Sequence, residues 1–211
     1  LSHDKIQFKM DIEFKTSKKP VNYKKALCFL RKRVEKVKKG GRELVWFLEH
    51  PTTYTAGIRY KEGEILDKSI KIIKTNRGGK ITLHNPGQKI VYFVINLNKR
   101  KKDIRNLVRQ IENIIINFLS IYKIKSYPDE KNIGIWVKGK KIAAIGIKVT
   151  NWIAYHGCSI NIKNNLKEYK KISPCGLNNK NITSIKKERG NTTNNVNKNL
   201  KNVFLKYLNR I

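Results

Sequence analysis

Twelve consecutive residues, RGGKITLHNPGQ at 77–88, constrain the fold of this chain more than any other stretch. Gly78 and Gly79 have no Cβ atom, so the backbone there can adopt a positive φ and approach a ligand closely. The alternation of apolar and polar side chains at 81–84 predicts a short strand with one apolar face. The sequence Asn-Pro-Gly at 85–87 then predicts a turn. Backbone N–H groups can gather around a polar ligand here, although glycine pairs and turns also occur in strands that bind nothing.

Apolar residues recur at helical spacing in three other segments. They predict helices at 23–38, at 104–121 and from 196 to the C-terminal residue. Asn22 and Asp103 stand immediately before the first two helices, where a short polar side chain can cap the first turn.

Strands outnumber helices in this sequence, and the apolar runs at 133–137 and 141–149 predict a β-hairpin. We interpret 51–57 as a turn and 60–71 as a polar loop. The fold class is therefore predicted to be α/β in the loose sense, or α+β, with a mixed, largely antiparallel sheet flanked by helices. No repeat or linker divides the chain, so we expect a single domain over 1–211, with an Asn/Lys-rich, partly loop segment at 178–195. Further strands are predicted at 11–16 (an edge strand), 43–50, 90–97 and 154–162.

Length and hydropathy exclude a membrane protein. The chain has 211 residues, of which 39% are hydrophobic, enough for a core. No apolar run approaches the roughly 18 to 20 residues of a bilayer span, and the first residues contain no apolar signal core. We expect a cytoplasmic protein without a membrane partner. We also expect Met10 to be the native start and residues 1–9 to be an upstream extension.

A formal net charge of +32, from 47 Lys and Arg against 15 Asp and Glu, predicts an acidic partner. Nucleic acid is the first candidate by charge alone. However, the excess is mostly lysine, is spread evenly and accompanies much Ile and Asn, as an AT-biased genome produces on any protein surface. The aromatic residues do not interleave with basic ones as a stacking platform requires. We therefore do not expect nucleic acid as a partner, whereas an acidic protein fits either explanation.

Three cysteines without paired spacing argue against a disulfide framework and against the usual metal sites, so we expect no metal and no cofactor. We interpret Cys28 as a core residue. Cys175 lies between a proline and a glycine, and a cysteine on such a turn is well placed to be exposed and reactive, although many turn cysteines have no function. A nucleophilic cysteine needs a nearby cation. Lys141, which opens an apolar strand, is a candidate, and a solvated strand end is the alternative.

The histidines add a second indication of a site. His84 and His156 each lie next to a turn that contains glycine, and together they predict one shared pocket. Each alone is more often a hydrogen-bonded structural residue. His50 precedes a proline, and we favour a structural role for it.

Five segments, taken in order, resemble the octanoyltransferases of lipoic acid synthesis, the lipoyl(octanoyl) transferase family. They are ELVWFLEHPTTYTAG (43–57), RGGKITLHNPGQ (77–88), GIWVKGKKIAAIGIK (134–148), AYHGCSINI (154–162) and PCGL (174–177). The resemblance implies the fold of lipoate and biotin protein ligase catalytic domains. It also places the family's acyl-carrying cysteine on Cys175 and its cysteine-activating lysine on Lys141.

The substrate-binding residues that we predict come from this resemblance and, for one histidine, from the shared pocket. They are Arg77, Gly78, Gly79, Lys80, Ile81, Thr82, Leu83, His84, Ala144, Ile145, Gly146, His156, Gly157, Cys158 and Ser159. This chain departs from the family in having Asn85 where a glycine is usual, and Cys158 where a larger apolar residue is usual. Asn85 tolerates positive φ better than other non-glycine residues, so the turn can survive.

The reaction implied moves an octanoyl group from octanoyl-acyl carrier protein to a lysine of a lipoyl domain, through a thioester on the cysteine. The implied acceptors are lipoyl domains of 2-oxoacid dehydrogenase and glycine cleavage complexes. Such partners are acidic, which gives the positive charge a steering role. Three alternatives stay open: an ATP-dependent lipoate- or biotin-type ligase, a basic nucleic-acid-binding protein, and an inactive transferase.

Overall fold

The structure is a computed structural model that describes residues 11–130, 132–173, 181–190, 194–208 and 210–211. Pro174, Cys175, Gly176 and Leu177 lie outside the described residues, and so does most of the Asn-rich stretch after Gly190. No helix in the described part of the chain is long and apolar enough to cross a bilayer.

Helices account for four segments of the described chain: α1 (Tyr23–Lys38), α2 (Ile104–Ile121), α3 (Ile185–Arg189) and α4 (Val196–Leu208). Short 3-10 turns occur at Glu62–Glu64, Leu97–Lys99 and Leu166–Lys171. The strands are β1 (Ile12–Thr16), β2 (Glu43–Leu48), β3 (Thr53–Ala56), β4 (Ile72–Lys74), β5 (Ile81–His84), β6 (Gln88–Asn96), β7 (Tyr127–Pro128), β8 (Gly134–Val137), β9 (Lys140–Thr150) and β10 (Ile153–Asn161).

Two sheets organise these strands. The larger sheet has the order β1-β2-β6-β10-β9-β8-β7, and the smaller has the order β4-β3-β5. Within the larger sheet only the β1–β2 pair is parallel, and every other pair is antiparallel. The predicted mixed, largely antiparallel sheet flanked by helices is therefore confirmed, as is the edge position of β1.

The larger sheet is covered on both faces. Helix α1 packs its apolar stripe against one face, where Leu30 contacts a cluster that includes Trp46 and Tyr92. Helices α2 and α4 cover the opposite face, where Phe118 and Phe204 are fully buried. Burying one such aromatic side chain contributes about 1.5–3 kcal/mol, so both faces of the sheet contribute to the stability of the fold. The small sheet lies beside this body and carries the glycine loop.

The first two predicted helices form with the predicted caps. The side chain of Asn22 accepts a hydrogen bond from the Lys25 N–H, and Asp103 accepts one from Asn106. These caps satisfy backbone donors that the first turn of a helix leaves without partners.

Two predictions were wrong. Residues 53–56 form strand β3 rather than a turn, because they pair with β4 on one side and β5 on the other. Cys28 is exposed rather than buried in the core. It lies two residues after the buried Ala26, which turns it about 200° around α1, away from the sheet.

Candidate active site

A cavity of about 300 Å³ opens where the small sheet meets strands β9 and β10. Strand β5 and the glycine loop form one wall, and the first half of β9 and residues 156–161 of β10 form the other. Fourteen of the residues predicted from the sequence line it: Arg77, Gly79, Lys80, Ile81, Thr82, His84, Lys141, Ala144, Ile145, Gly146, His156, Gly157, Cys158 and Ser159.

Two predicted residues do not line this cavity. The backbone N–H of Gly78 donates to the Ile147 carbonyl, which ties the loop to β9. Leu83 is fully buried in a cluster with Tyr54 and Tyr169. Cys175 falls outside the described residues, so its distance to Lys141 stays a prediction.

Lys141 is a buried cation at one end of the cavity. Its side chain is 6% exposed in the folded chain, and Nζ donates to the Ile133 carbonyl at 2.8 Å. Nζ also lies 5.6 Å from the ring centroid of Trp136. The adjacent Gly134 leaves room for this side chain, because a Cβ there would come within 2.5 Å of Lys141 Cε. Lys141 is therefore not a solvated strand end.

The segments on either side of 174–180 both approach this cavity. The Thr183 N–H donates to the Lys141 carbonyl at 3.0 Å, and the neighbouring Ile182 lines the cavity. On the other side, the Ser173 N–H donates to the Glu64 carbonyl at 2.7 Å. The carboxylate of Glu64 in turn accepts from the N–H of Ile81 in the cavity wall.

Arg77 holds the glycine loop in place from below. Its Nη2 donates to the carbonyl oxygen and to Oγ1 of Thr55, at 2.9 and 2.8 Å, while Nη1 donates to the Gly78 carbonyl. The loop approaches β3 so closely that a Cβ on Gly57 would lie 2.4 Å from the Gly79 oxygen. The sequence Arg-Gly-Gly thus places a guanidinium beneath a backbone that only glycine permits.

His84 is neutral at ordinary pH. Burial, helped by the neighbouring His50, lowers its pKa to about 3. Its Nδ1 donates to the Gln88 side-chain oxygen at 2.9 Å, and its ring stacks on Tyr23 at 5.7 Å between centroids.

His156 is also buried and neutral, with a pKa lowered to about 3 by burial and by the positive charges of Arg77, Lys148 and Arg31. Its φ is +72°, and its ring stacks on that of Tyr155 at 4.8 Å. Successive side chains in a strand normally point to opposite faces, so this backbone conformation places His156 on the face of Tyr155. Its Nε2 lies 2.9 Å from the Asn76 side-chain oxygen.

The surroundings of Cys158 disfavour the thiolate, which is the form that a nucleophilic cysteine needs. Burial raises the pKa of its thiol to about 12, so it stays protonated near neutral pH. His50, whose pKa burial lowers to about 4, lies beneath the site with both ring nitrogens hydrogen-bonded, to Val21 and Tyr92.

Several cavity residues were not predicted from the sequence. The sequence places Tyr23 in a helix and Tyr92 in a strand, without a role in the site. The feature that could have indicated them is a tyrosine hydroxyl at a position that otherwise carries apolar, inward-facing side chains. Asn161, Tyr169 and Ile182 reach the cavity only through long-range packing.

Three comparisons identify what this chain is similar to. A family model described as "Lipoyl protein ligase A/B catalytic domain" matches residues 22–207. An octanoyltransferase of Ehrlichia chaffeensis is 45% identical over 183 residues, which cover 83% of this chain and 86% of that protein. An octanoyltransferase of a Wolbachia species from Brugia malayi is 42% identical over 181 residues, with coverages of 83% and 88%.

Among solved structures, lipoate-protein ligase A bound with ATP superposes with a TM-score of 0.81 at 16% identity, covering 95% of this chain and 86% of that one. At that identity the likeness concerns the fold alone. The chain therefore belongs to the lipoyl protein ligase A/B catalytic-domain family and, within it, to the octanoyltransferases, which are acyl-transferring enzymes.

Proposed function

We propose that this protein transfers an octanoyl group from octanoyl-acyl carrier protein to a lysine of a lipoyl domain, through a thioester on Cys175. The proposed acceptors are lipoyl domains of 2-oxoacid dehydrogenase and glycine cleavage complexes. The proposed compartment is the cytoplasm, where reducing conditions keep a thiol free.

The observation that carries the proposal is the position of Lys141 beside the segment that follows Cys175. Thr183 and Ile182 belong to that segment and border Lys141 and the cavity. Ser173 stands two residues before Cys175, and two residues of chain span at most about 7 Å. A buried ammonium within reach of a thiol favours the thiolate, which is the nucleophilic form.

The other cysteines support the same assignment by their surroundings. Cys158 is held as a thiol by burial, and Cys28 is exposed on α1, outside the cavity lining. Neither combines access to the cavity with a nearby cation.

The apolar part of the cavity wall suits an acyl chain. Ile81, Ala143 and Ile145 contribute aliphatic surface, and Ile90 and Ile182 extend it. Each buried methylene contributes about 0.8 kcal/mol, so the depth of such a slot can select chain length. In the first half-reaction the Cys175 thiolate attacks the donor thioester and forms a sulfur–carbon bond. The carbon–sulfur bond to the carrier breaks, and the carrier leaves as a thiolate that takes up the proton Cys175 gave up. In the second, the lysine amine attacks the Cys175 thioester and the cysteine leaves as the thiol.

Intact-protein mass spectrometry tests this function. After mixing with octanoyl-acyl carrier protein, we expect an octanoyl-sized mass gain in the wild type and in Cys28→Ser, which removes an exposed thiol outside the cavity lining. Cys175→Ser should gain nothing that hydroxylamine removes at neutral pH. Lys141→Met should acquire the mass about 100-fold more slowly, because a positioned acid or base contributes about that much or more. A wild-type protein that never acquires the mass would contradict the proposal.

A further inference from the structure

Two buried amide side chains connect the cavity to Thr183, which follows the Cys175 segment in the chain. Asn161 and Gln88 are 5% and 0% exposed. Asn161 Nδ2 donates to the backbone carbonyl of Thr183 at 3.0 Å. A carbonyl only accepts, so the amide nitrogen must face Thr183 and the amide oxygen must face the other way. That oxygen accepts from Gln88 Nε2 at 2.9 Å.

The orientation of Gln88 is fixed twice. Besides Asn161, its Nε2 donates to the backbone carbonyl of Leu83 at 3.2 Å. The Gln88 oxygen must then face His84, whose Nδ1 lies 2.9 Å away. An amide oxygen cannot donate, so the proton of the neutral imidazole lies on Nδ1 and the lone pair lies on Nε2.

His84 Nε2 is therefore the ring nitrogen that remains for a ligand. His84 lines the cavity, and among the described residues no group donates to its Nε2. The ring is held between Tyr23, which stacks on it, and His50, whose ring meets it edge-on at 5.6 Å. The lowered pKa keeps the ring neutral near pH 7. His84 consequently presents a fixed hydrogen-bond acceptor to whatever enters the cavity.

We propose that His84 Nε2 accepts a hydrogen bond from the ε-amine of the acceptor lysine in the second half-reaction, and that Gln88 is the positioning residue that fixes the tautomer. This inference rests on the proposed function and extends it to a residue that orients the nucleophile. An octanoyl thioester carries no N–H or O–H, so it offers this acceptor nothing. A neutral lysine amine carries two N–H bonds and needs its lone pair turned towards the carbonyl carbon.

The atoms of the step balance as follows. The amine nitrogen forms a bond to the thioester carbonyl carbon, the carbon–sulfur bond breaks, and its electron pair returns to the Cys175 sulfur. One amine hydrogen ends on that sulfur, by way of Lys141. The other stays on the new amide nitrogen, and it is this hydrogen that points to His84 Nε2 during the attack.

Measuring the two half-reactions separately tests the lysine contact. In His84→Phe, which keeps a ring to stack on Tyr23, we expect transfer to a lipoyl-domain lysine to slow about 10- to 100-fold more than acyl-enzyme formation does, the usual effect of losing a hydrogen bond to a reacting group. Gln88→Met should slow transfer in the same way, because Nδ1 then loses the acceptor that fixes its proton. If acyl-enzyme formation slows as much as transfer, His84 Nε2 accepts a hydrogen bond from the pantetheine amide of the donor, or His84 only supports the fold. In either case the proposal fails.

Nitrogen-15 NMR of the imidazole rings in the unliganded wild type tests the tautomer without any substitution. We expect the His84 signals of a protonated Nδ1 and an unprotonated Nε2 at pH 7, and loss of that pattern in Gln88→Met. A protonated Nε2 in the wild type would overturn the inference. If the wild type forms no acyl-enzyme at all, the proposed function fails, and this measurement still decides the tautomer.

Discussion

Single residues in and beside the cavity are tuned mainly by burial. Desolvation lowers the pKa of His50 to about 4 and of His84 and His156 to about 3, and it raises that of Cys158 to about 12. All four groups are consequently neutral near pH 7, whereas Arg77 and Lys141 are basic side chains of the cavity wall. The neutral hydrogen-bonding groups of the site are thus different residues from Lys141, the residue that we propose activates Cys175.

The three buried histidines make stability depend on pH. Their folded pKa values lie below the value of about 6.5 in an unfolded chain, so between roughly pH 6.5 and 4 the unfolded state binds protons that the folded state does not. The free energy of unfolding should therefore fall as the pH drops through this window, by up to about 1 kcal/mol per pH unit for each histidine. Denaturant unfolding at pH 7 and at about pH 5.5 measures this, because most carboxylates titrate below that range. Equal stabilities at the two values would contradict the burial of these rings.

Local sequence patterns indicate some residues of the site, the family resemblance indicates the others, and neither predicts how they are arranged. The glycine pair, His84, His156 and Lys141 are recognisable because each breaks a strand pattern or stands at a turn. The tautomer of His84 is not recognisable, because it depends on the Thr183 carbonyl, almost a hundred residues away. Local patterns likewise cannot show that Cys28, although close to an apolar stripe, faces solvent.

At the scale of elements, the β8–β9 hairpin positions Lys141. Gly134 has a φ of +144°, and a Cβ there would meet both the Ala143 oxygen and Lys141 Cε at 2.5 Å. Gly139, in the turn of the same hairpin, also has a positive φ but has open space around it. Substituting Gly139 therefore tests the cost of the backbone conformation alone, whereas substituting Gly134 also displaces neighbouring atoms, including Lys141 Cε.

We expect Gly139→Ala to lower stability by about 1–2 kcal/mol and to leave acyl-enzyme formation unchanged, since only left-handed strain is added. Gly134→Ala should destabilise the protein more and slow acyl-enzyme formation severely, because Lys141 must move. Thermal unfolding together with the rate of mass gain measures both effects. Equal rates of acyl-enzyme formation in the two variants would show that Gly134 does not position Lys141.

Elements with strong local signals were predicted well, and those made by pairing were not. Helices α1 and α2 combine an apolar stripe with a capping residue, so their bounds could be predicted from the sequence. Strand β3 could not, because residues 53–56 look like a turn until β4 and β5 pair with them. Helix α3 could not be predicted for a different reason: its five residues are too few to show helical periodicity.

The whole molecule carries a large positive charge, far more than the few basic residues of the cavity wall supply. A net charge of +32 should attract acidic protein substrates over distances beyond direct contact. Such steering acts on the association rate and weakens as salt shortens the screening length from about 10 Å at 0.1 M to about 3 Å at 1 M.

We therefore expect the second-order rate of acyl-enzyme formation from octanoyl-acyl carrier protein to fall about tenfold or more between 50 mM and 500 mM salt. The same rate from octanoyl-pantetheine, a small uncharged donor, should change little. Mass spectrometry of samples quenched at successive times gives the acylation rate with each donor. If salt lowers the two rates equally, the positive charge does not act in substrate capture and reflects only the amino-acid composition.

The most direct measurement of the central claim is the octanoylation of a lipoyl-domain lysine by the purified protein. With octanoyl-acyl carrier protein and no ATP, we expect the lipoyl domain to gain one octanoyl group, and the gain to vanish in Cys175→Ser. With free octanoate and ATP in place of the carrier protein, we expect no modification. Modification that requires ATP and survives Cys175→Ser would contradict the account and make the protein a ligase.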